Sequence, residues 1–112
     1  RRWVLVFGAS SDKDIPGMLE ALLPLSEYMI VTRSEHPRST GPVVLADTVA
    51  RVGGGAEIAV NVRKALRRGL DLVRGDNGLL VTGSIFLVAE AREAWALENG
   101  TPPPDNDGDP DG

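Results

Sequence analysis

Apolar residues fall along this chain in short blocks of two alternating kinds. Trp3-Val4-Leu5-Val6-Phe7, closed by Gly8, is an unbroken apolar run of strand length. Such a run predicts a strand covered on both faces, and therefore a parallel sheet. The next block, Ile15, Met18, Leu19, Leu22 and Leu23, has the spacing of one helical face. Asp14 suits the cap of that helix, Pro16 its first turn and Pro24 its end. Tyr28 to Thr32 predicts a second strand. A polar loop from Arg33 to Pro42 leads to a short helix over Val43 to Val52, stopped by Gly53-Gly54-Gly55. Ala56 to Val60 predicts a weaker third strand. Asn61 caps a helix running to about Val73, with Val62, Ala65, Leu66 and Val73 inward and Arg63, Lys64, Arg67, Arg68 and Arg74 outward. Gly78 to Thr82 predicts a fourth strand and Gly83 a tight exit. Ser84 is then the N-cap of a helix through about Glu98 whose inner side carries Leu87, Val88, Ala91 and Trp95.

Four strand–helix units in succession, joined by right-handed crossovers, predict the α/β class: a three-layer α/β/α Rossmann-like domain with a mainly parallel open sheet. At 112 residues there is room for one such domain, over residues 1–100. Residues 101–112 contain Asp105, Asp107, Asp109 and Asp111 beside four prolines and no other apolar group, which predicts a disordered acidic tail. That tail accounts for the net charge of −4, because without it the 12 Lys and Arg are matched by as many acids. The arginine-lined helix face is therefore part of a neutral body. With only 4% aromatic residues and Arg67 set to pair with Asp71 at i, i+4, it predicts a solvated surface and no nucleic-acid partner. The absence of cysteine excludes disulfides, thiolate metal sites and thiol nucleophiles. A single histidine leaves little for a metal site. No apolar run approaches the roughly 20 residues of a membrane span, and the start of the chain leads straight into a strand, so a soluble cytoplasmic protein without a membrane partner is expected.

In an open α/β sheet the ligand lies beyond the carboxyl ends of the strands. That rule selects Ala9 to Asp14, Arg33 to Arg38, Asn61, and Gly83-Ser84, which a parallel sheet brings to one rim. The first stretch, G-A-S-S-D-K-D-I-P-G, follows a buried strand as a dinucleotide loop does, but Ser10, Asp12 and Lys13 or Asp14 stand where glycines must meet pyrophosphate. Lys13 between two carboxylates suits either a solvated turn with a capping Asp or a lysine pointed at an anionic or carboxylate ligand. Arg33, Glu35, His36 and Arg38 gather around Pro37, as a polar surface loop with His36 solvated or as a site where a guanidinium offers a planar fork to a carboxylate or phosphate. A triad of Ser10, His36 and Asp12 has no spacing in its favour. Ser84 can present its hydroxyl and free backbone N–H groups to an anion. No G-x-x-x-x-G-K-[ST] loop is present, so phosphoryl transfer by this chain alone is not expected.

Three stretches together, V-F-G-A-S-S-D-K-D-I-P-G-M-L, T-R-S-E-H-P-R and L-L-V-T-G-S-I-F-L-V-A-E-A-R, resemble the C-terminal domain of folylpolyglutamate synthase and dihydrofolate synthase, in the muramyl ligase superfamily. The resemblance runs in order from about Trp3 to Trp95. It implies an ATP-dependent ligase that activates a folate carboxylate as an acyl phosphate, joins it to the amino group of glutamate and releases ADP. ATP and Mg2+ would be held by a central ATPase domain, the partner of this lobe. The lobe itself would bind the incoming amino acid, with no catalytic residue of its own, and would be inactive alone. By the same resemblance Lys13, Arg38, Ser84 and His36 become substrate-binding candidates, and Asp12 and Asp14 lie near the nucleotide. Arg38 matches the arginine of the superfamily's Asx-Pro-Arg pattern, and the residues before it, Glu35-His36, depart from that pattern and leave the amino acid open. The family also has an earlier strand and a D-G-A-H-N-P segment, which implies a truncated domain; its first strand here is then expected to leave an uncovered edge open to self-association. Two other readings remain at this point, a dinucleotide-binding domain of an oxidoreductase and a non-catalytic interaction domain.

Overall fold

The computed structural model describes residues 2–75 and 77–99, so the expected tail lies outside the described residues. The element order is β1 (Trp3–Phe7), α1 (Ile15–Leu22) with one 3-10 turn after it (Leu23–Leu25), β2 (Ser26–Val31), α2 (Pro42–Arg51), β3 (Glu57–Ile58), α3 (Val62–Leu72), β4 (Gly78–Thr82) and α4 (Ile85–Asn99). The strands form one parallel sheet in the order β3-β2-β1-β4. The α/β class and the parallel sheet are as the alternation predicts.

The period-two geometry of β1 divides the core. Leu5 and Phe7 pack with Met29, Val31, Leu19, Leu45 and Val49, the layer under α1 and α2. Val4 and Val6 face the other way, onto Ile30 and Ala65 of α3. A smaller cluster of Val62, Leu87 and Ala91 joins α3 to α4. Helices thus cover both faces of the sheet, which keeps β1 buried along most of its length.

Capping follows the expected chemistry. The Asp14 side chain accepts from the Gly17 amide at 3.1 Å, and Asn61 accepts from the Lys64 amide at 2.9 Å. Gly53 ends α2 with φ of +96°, a conformation that favours glycine.

Three expectations are corrected. β1 is an interior strand, because the chain crosses over the sheet through α3 and lays β4 along its other side; the open edges are β3 and β4. The third strand is only Glu57–Ile58, narrower than Ala56 to Val60. Trp95 stands 42% exposed, and the inner side of α4 is made by Leu87, Ala91 and Ala94. Among the described residues no helix is long and apolar enough to cross a membrane.

Candidate functional site

The strand order fixes where a crevice opens. β1 leads toward the α1 face and β4 toward the α4 face, so the chain parts in opposite directions just beyond Phe7 and Thr82. The two exits are clamped together. The Gly8 amide donates to the Thr82 carbonyl at 3.3 Å, and Gly83 turns away with φ of +112°. A Cβ on Gly83 would run into the Gly8 carbonyl oxygen, so only glycine permits this approach.

Above this junction lies an open cleft of about 510 Å³ lined by Ser10, Asp12, Lys13, His36, Arg38, Gly83 and Ser84. Three different strand–helix connections supply it. The two longer ones are sewn to each other: Ser10 and Ser39 form an antiparallel bridge, the Ser11 amide donates to the Arg38 carbonyl at 2.9 Å, and the Thr40 amide donates to the Ala9 carbonyl at 2.9 Å. Arg38 is thereby held across from Asp12, with a guanidinium–carboxylate distance of 3.8 Å at largely exposed side chains. A long, solvated pair of this kind holds neither partner firmly. Lys13 has no ion-pair partner among the described residues. The Ser84 hydroxyl lies 3.5 Å from the Leu87 amide, a weak cap, and its carbonyl accepts from the Val88 amide at 3.0 Å.

Lys13, Arg38, Ser84, His36 and Asp12 are thus brought to one cleft. Asp14 is not among its lining residues; it serves α1 as the cap. Arg33 and Asn61, placed on the same rim by the sequence, line a neighbouring cleft of about 500 Å³ with Glu35, Arg63, Glu90 and Glu93. Glu90 of α4 joins that helix to the loop after β2 by accepting from the Glu35 amide at 2.7 Å. Ser10, His36 and Asp12 do share the first cleft, but His36 Nδ1 accepts from the Arg38 amide at 3.2 Å. An Nδ1 that accepts puts the proton on Nε2, the wrong tautomer to take one from a serine hydroxyl while an aspartate holds Nδ1–H.

A pair of hydroxyls beneath the Arg38 turn had no signature in the sequence: Ser34 Oγ lies 2.6 Å from Ser39 Oγ. Ser and Thr are common in any polar loop, and only the fold shows which of them are buried. Among the described residues no group of three or more His, Asp or Glu side chains is placed to hold a metal ion.

The sequence profile described as "Mur ligase, glutamate ligase domain" matches residues 1–85. The chain belongs to this family. It is 36% identical, over 81% of its length, to a Haloferax volcanii protein named "probable bifunctional folylpolyglutamate synthase/dihydropteroate synthase". Among solved structures it is similar to Mycobacterium tuberculosis folylpolyglutamate synthase complexed with ADP, with 28% identity and a TM-score of 0.79 over 92% of this chain. It is also similar to Yersinia pestis bifunctional folylpolyglutamate synthase/dihydrofolate synthase complexed with AMPPNP and a manganese ion, with 26% identity and a TM-score of 0.70 over 83% of this chain. The chain spans 11% of the Haloferax protein and 25% and 22% of the two solved chains. Membership in a glutamate ligase domain family favours the ligase reading over the dinucleotide-domain and interaction-domain alternatives.

Proposed function

We propose that this domain is the amino-acid-binding lobe of an ATP-dependent ligase that adds glutamate to folates. The observation that carries the reading is the convergence of Lys13, Arg38 and Ser84, from three separate strand–helix junctions, on the one cleft at the parting of β1 and β4. Two exposed cations and a hydroxyl at a helix start suit a small dicarboxylate. The Arg38 guanidinium supplies the bidentate partner for one carboxylate, Lys13 adds positive potential, and the Ser84 hydroxyl is a hydrogen-bonding neighbour. His36 lines the same wall.

The related solved enzymes carry ADP, or AMPPNP with manganese. The residues of this chain do not by themselves fit such a group: the sequence has no G-x-x-x-x-G-K-[ST] loop, and no metal-ligating cluster is found among the described residues. ATP and Mg2+ therefore belong, in this reading, to a central ATPase domain that meets this cleft, with Asp12 and Asp14 on the nearer side. There ATP would supply its terminal phosphoryl group to the folate carboxylate, with ADP released; this lobe would hold the glutamate amino group toward the activated carbonyl carbon, the amine giving up a proton and inorganic phosphate leaving as the amide bond forms. The chain alone performs neither ATP hydrolysis nor ligation.

In the full-length protein that carries this chain, Arg38→Ala should raise the glutamate KM by about 30- to 150-fold, the equivalent of losing a charge-assisted pair worth roughly 2–3 kcal/mol. The ATP KM should change little. Steady-state kinetics with each substrate varied in turn decides it, and an unchanged glutamate KM overturns the reading.

A further inference from the structure

We infer that Ser34 is a positioning residue for Arg38, fixing the turn from which the guanidinium reaches into the cleft. This rests on the reading of the cleft as the glutamate site. Ser34 lies between exposed Arg33 and Glu35 yet is itself only 3% exposed. Its hydroxyl makes two contacts inside the loop, to Ser39 Oγ at 2.6 Å and to the His36 amide, which donates to it at 3.2 Å. One O–H and two lone pairs suffice for both.

From outside, the turn is held by the Ser11 amide on the Arg38 carbonyl and the Thr40 amide on the Ala9 carbonyl. Its internal order depends on fewer bonds, since Pro37 has no N–H to give and the hold within the turn comes from the Ser39 amide on the His36 carbonyl at 3.0 Å and the Arg38 amide on His36 Nδ1. Both run through His36, whose own amide is anchored on Ser34 Oγ. Among the described residues the buried hydroxyls of Thr32 and Thr40, at the two ends of the loop, have no hydrogen-bond partner, so the hydroxyl hold on the turn falls on Ser34 and Ser39. The Arg38 side chain is 69% exposed. No packed wall aims it, and its direction is set by the backbone from which it springs. A shift of the turn by a fraction of an ångström therefore misplaces the fork against a carboxylate.

The test compares variants of the full-length protein. Ser34→Ala should raise the glutamate KM about 5- to 20-fold, while kcat at saturating glutamate and the ATP KM stay within about twofold. Ser39→Ala should act in the same direction, and the double variant should be no worse than Ser34→Ala, because the two residues share one bond. In the 112-residue chain, amide hydrogen exchange at His36 and Arg38 should quicken on Ser34→Ala. If Ser34→Ala leaves the glutamate KM unchanged while Arg38→Ala still raises it, the inference fails and the site reading stands. A parallel loss of kcat and of both substrate affinities also overturns it, since that is what general destabilisation produces. If Arg38→Ala itself has no effect on the glutamate KM, the site reading fails instead, and the exchange rates alone decide whether Ser34 positions the turn: faster exchange supports it and unchanged exchange overturns it.

Discussion

Two arginines of this domain face carboxylates on the surface, with opposite results. Arg68 of α3 reaches the edge strand β3, where its Nε lies 3.1 and 3.0 Å from the two Glu57 oxygens and its guanidinium sits 6.0 Å from the centre of the Tyr28 ring. Tyr28 donates its hydroxyl to the same carboxylate at 2.5 Å. Glu57 accepts from both side chains at once, and the cluster ties β2, β3 and α3 together. Arg38, on the rim, stands 3.8 Å from Asp12, with both side chains more than half exposed. The first cation is committed to the fold and the second is left available. Residue type and charge are the same in both places; what differs is whether a third group locks the pair.

The contrast is sharpest at the glycines. Gly83→Ala should cost at least about 10 °C in Tm, because positive-φ strain alone is worth about 1–3 kcal/mol and the collision with the Gly8 carbonyl adds to it. Gly55→Ala, before β3, has open space around the added methyl and should be close to neutral. Comparable losses at both positions would remove the distinction between a clamped rim and a relaxed opposite end.

Arg68→Ala offers the next test, beside Arg38→Ala in the full-length protein. It should leave the glutamate KM within about twofold, because its partners lie at the sheet edge and none lines the cleft. A KM effect equal to that of Arg38→Ala would mean that neither arginine is specific to the cleft.

The smallest effect concerns Glu57. The Tyr28 hydroxyl above all, opposed by partial burial and helped by Arg68, holds its carboxyl below the ordinary value of about 4.5. A depressed acid contributes stability above its unfolded pKa and loses it as pH falls through the folded value. Glu57→Gln should therefore lower Tm by about 1 to 5 °C at pH 7, with the two proteins converging as the pH drops below about 4.5. Thermal melts across pH 3 to 7 check this, and a difference that persists at the acid end would assign the effect to packing.

Most of this architecture is readable from the order of residues, for identifiable reasons. β1 and β4 are apolar runs bounded by glycine, and Asp14 and Asn61 announce their helices through hydrogen bonds made within three residues. Such signals are local. The position of β4 beside β1 is not local, since it depends on α3 crossing the sheet, and the expectation of an uncovered β1 failed there. α4 misled for another reason. Ala89, Ala91, Ala94, Trp95, Ala96 and Leu97 are apolar almost all the way round, so periodicity cannot say which side is inward. At the cleft, the strand-end rule found Lys13, Arg38 and Ser84, because it needs only the strand ends. It could not divide the rim into two clefts, nor find Ser34 and Ser39, whose partnership depends on how the loop folds back on itself.

The junction of Gly8 and Gly83 bears on how such a domain can change its taste for a substrate. The Gly83 portion of the cleft is bare main chain, and a methyl group at either glycine would strike a backbone carbonyl, that of Thr32 for Gly8 and that of Gly8 for Gly83. Substitution at these two glycines cannot resurface that portion without moving the main chain, whatever ligand the cleft holds. Adaptation is confined to side chains on the connecting loops, above all Lys13, His36 and Arg38, where substitutions leave the buried sheet untouched. On the proposed reading, a change of ligand runs through a few loop side chains over an immovable base, with His36 and Arg38 varied together because His36 Nδ1 accepts from the Arg38 amide.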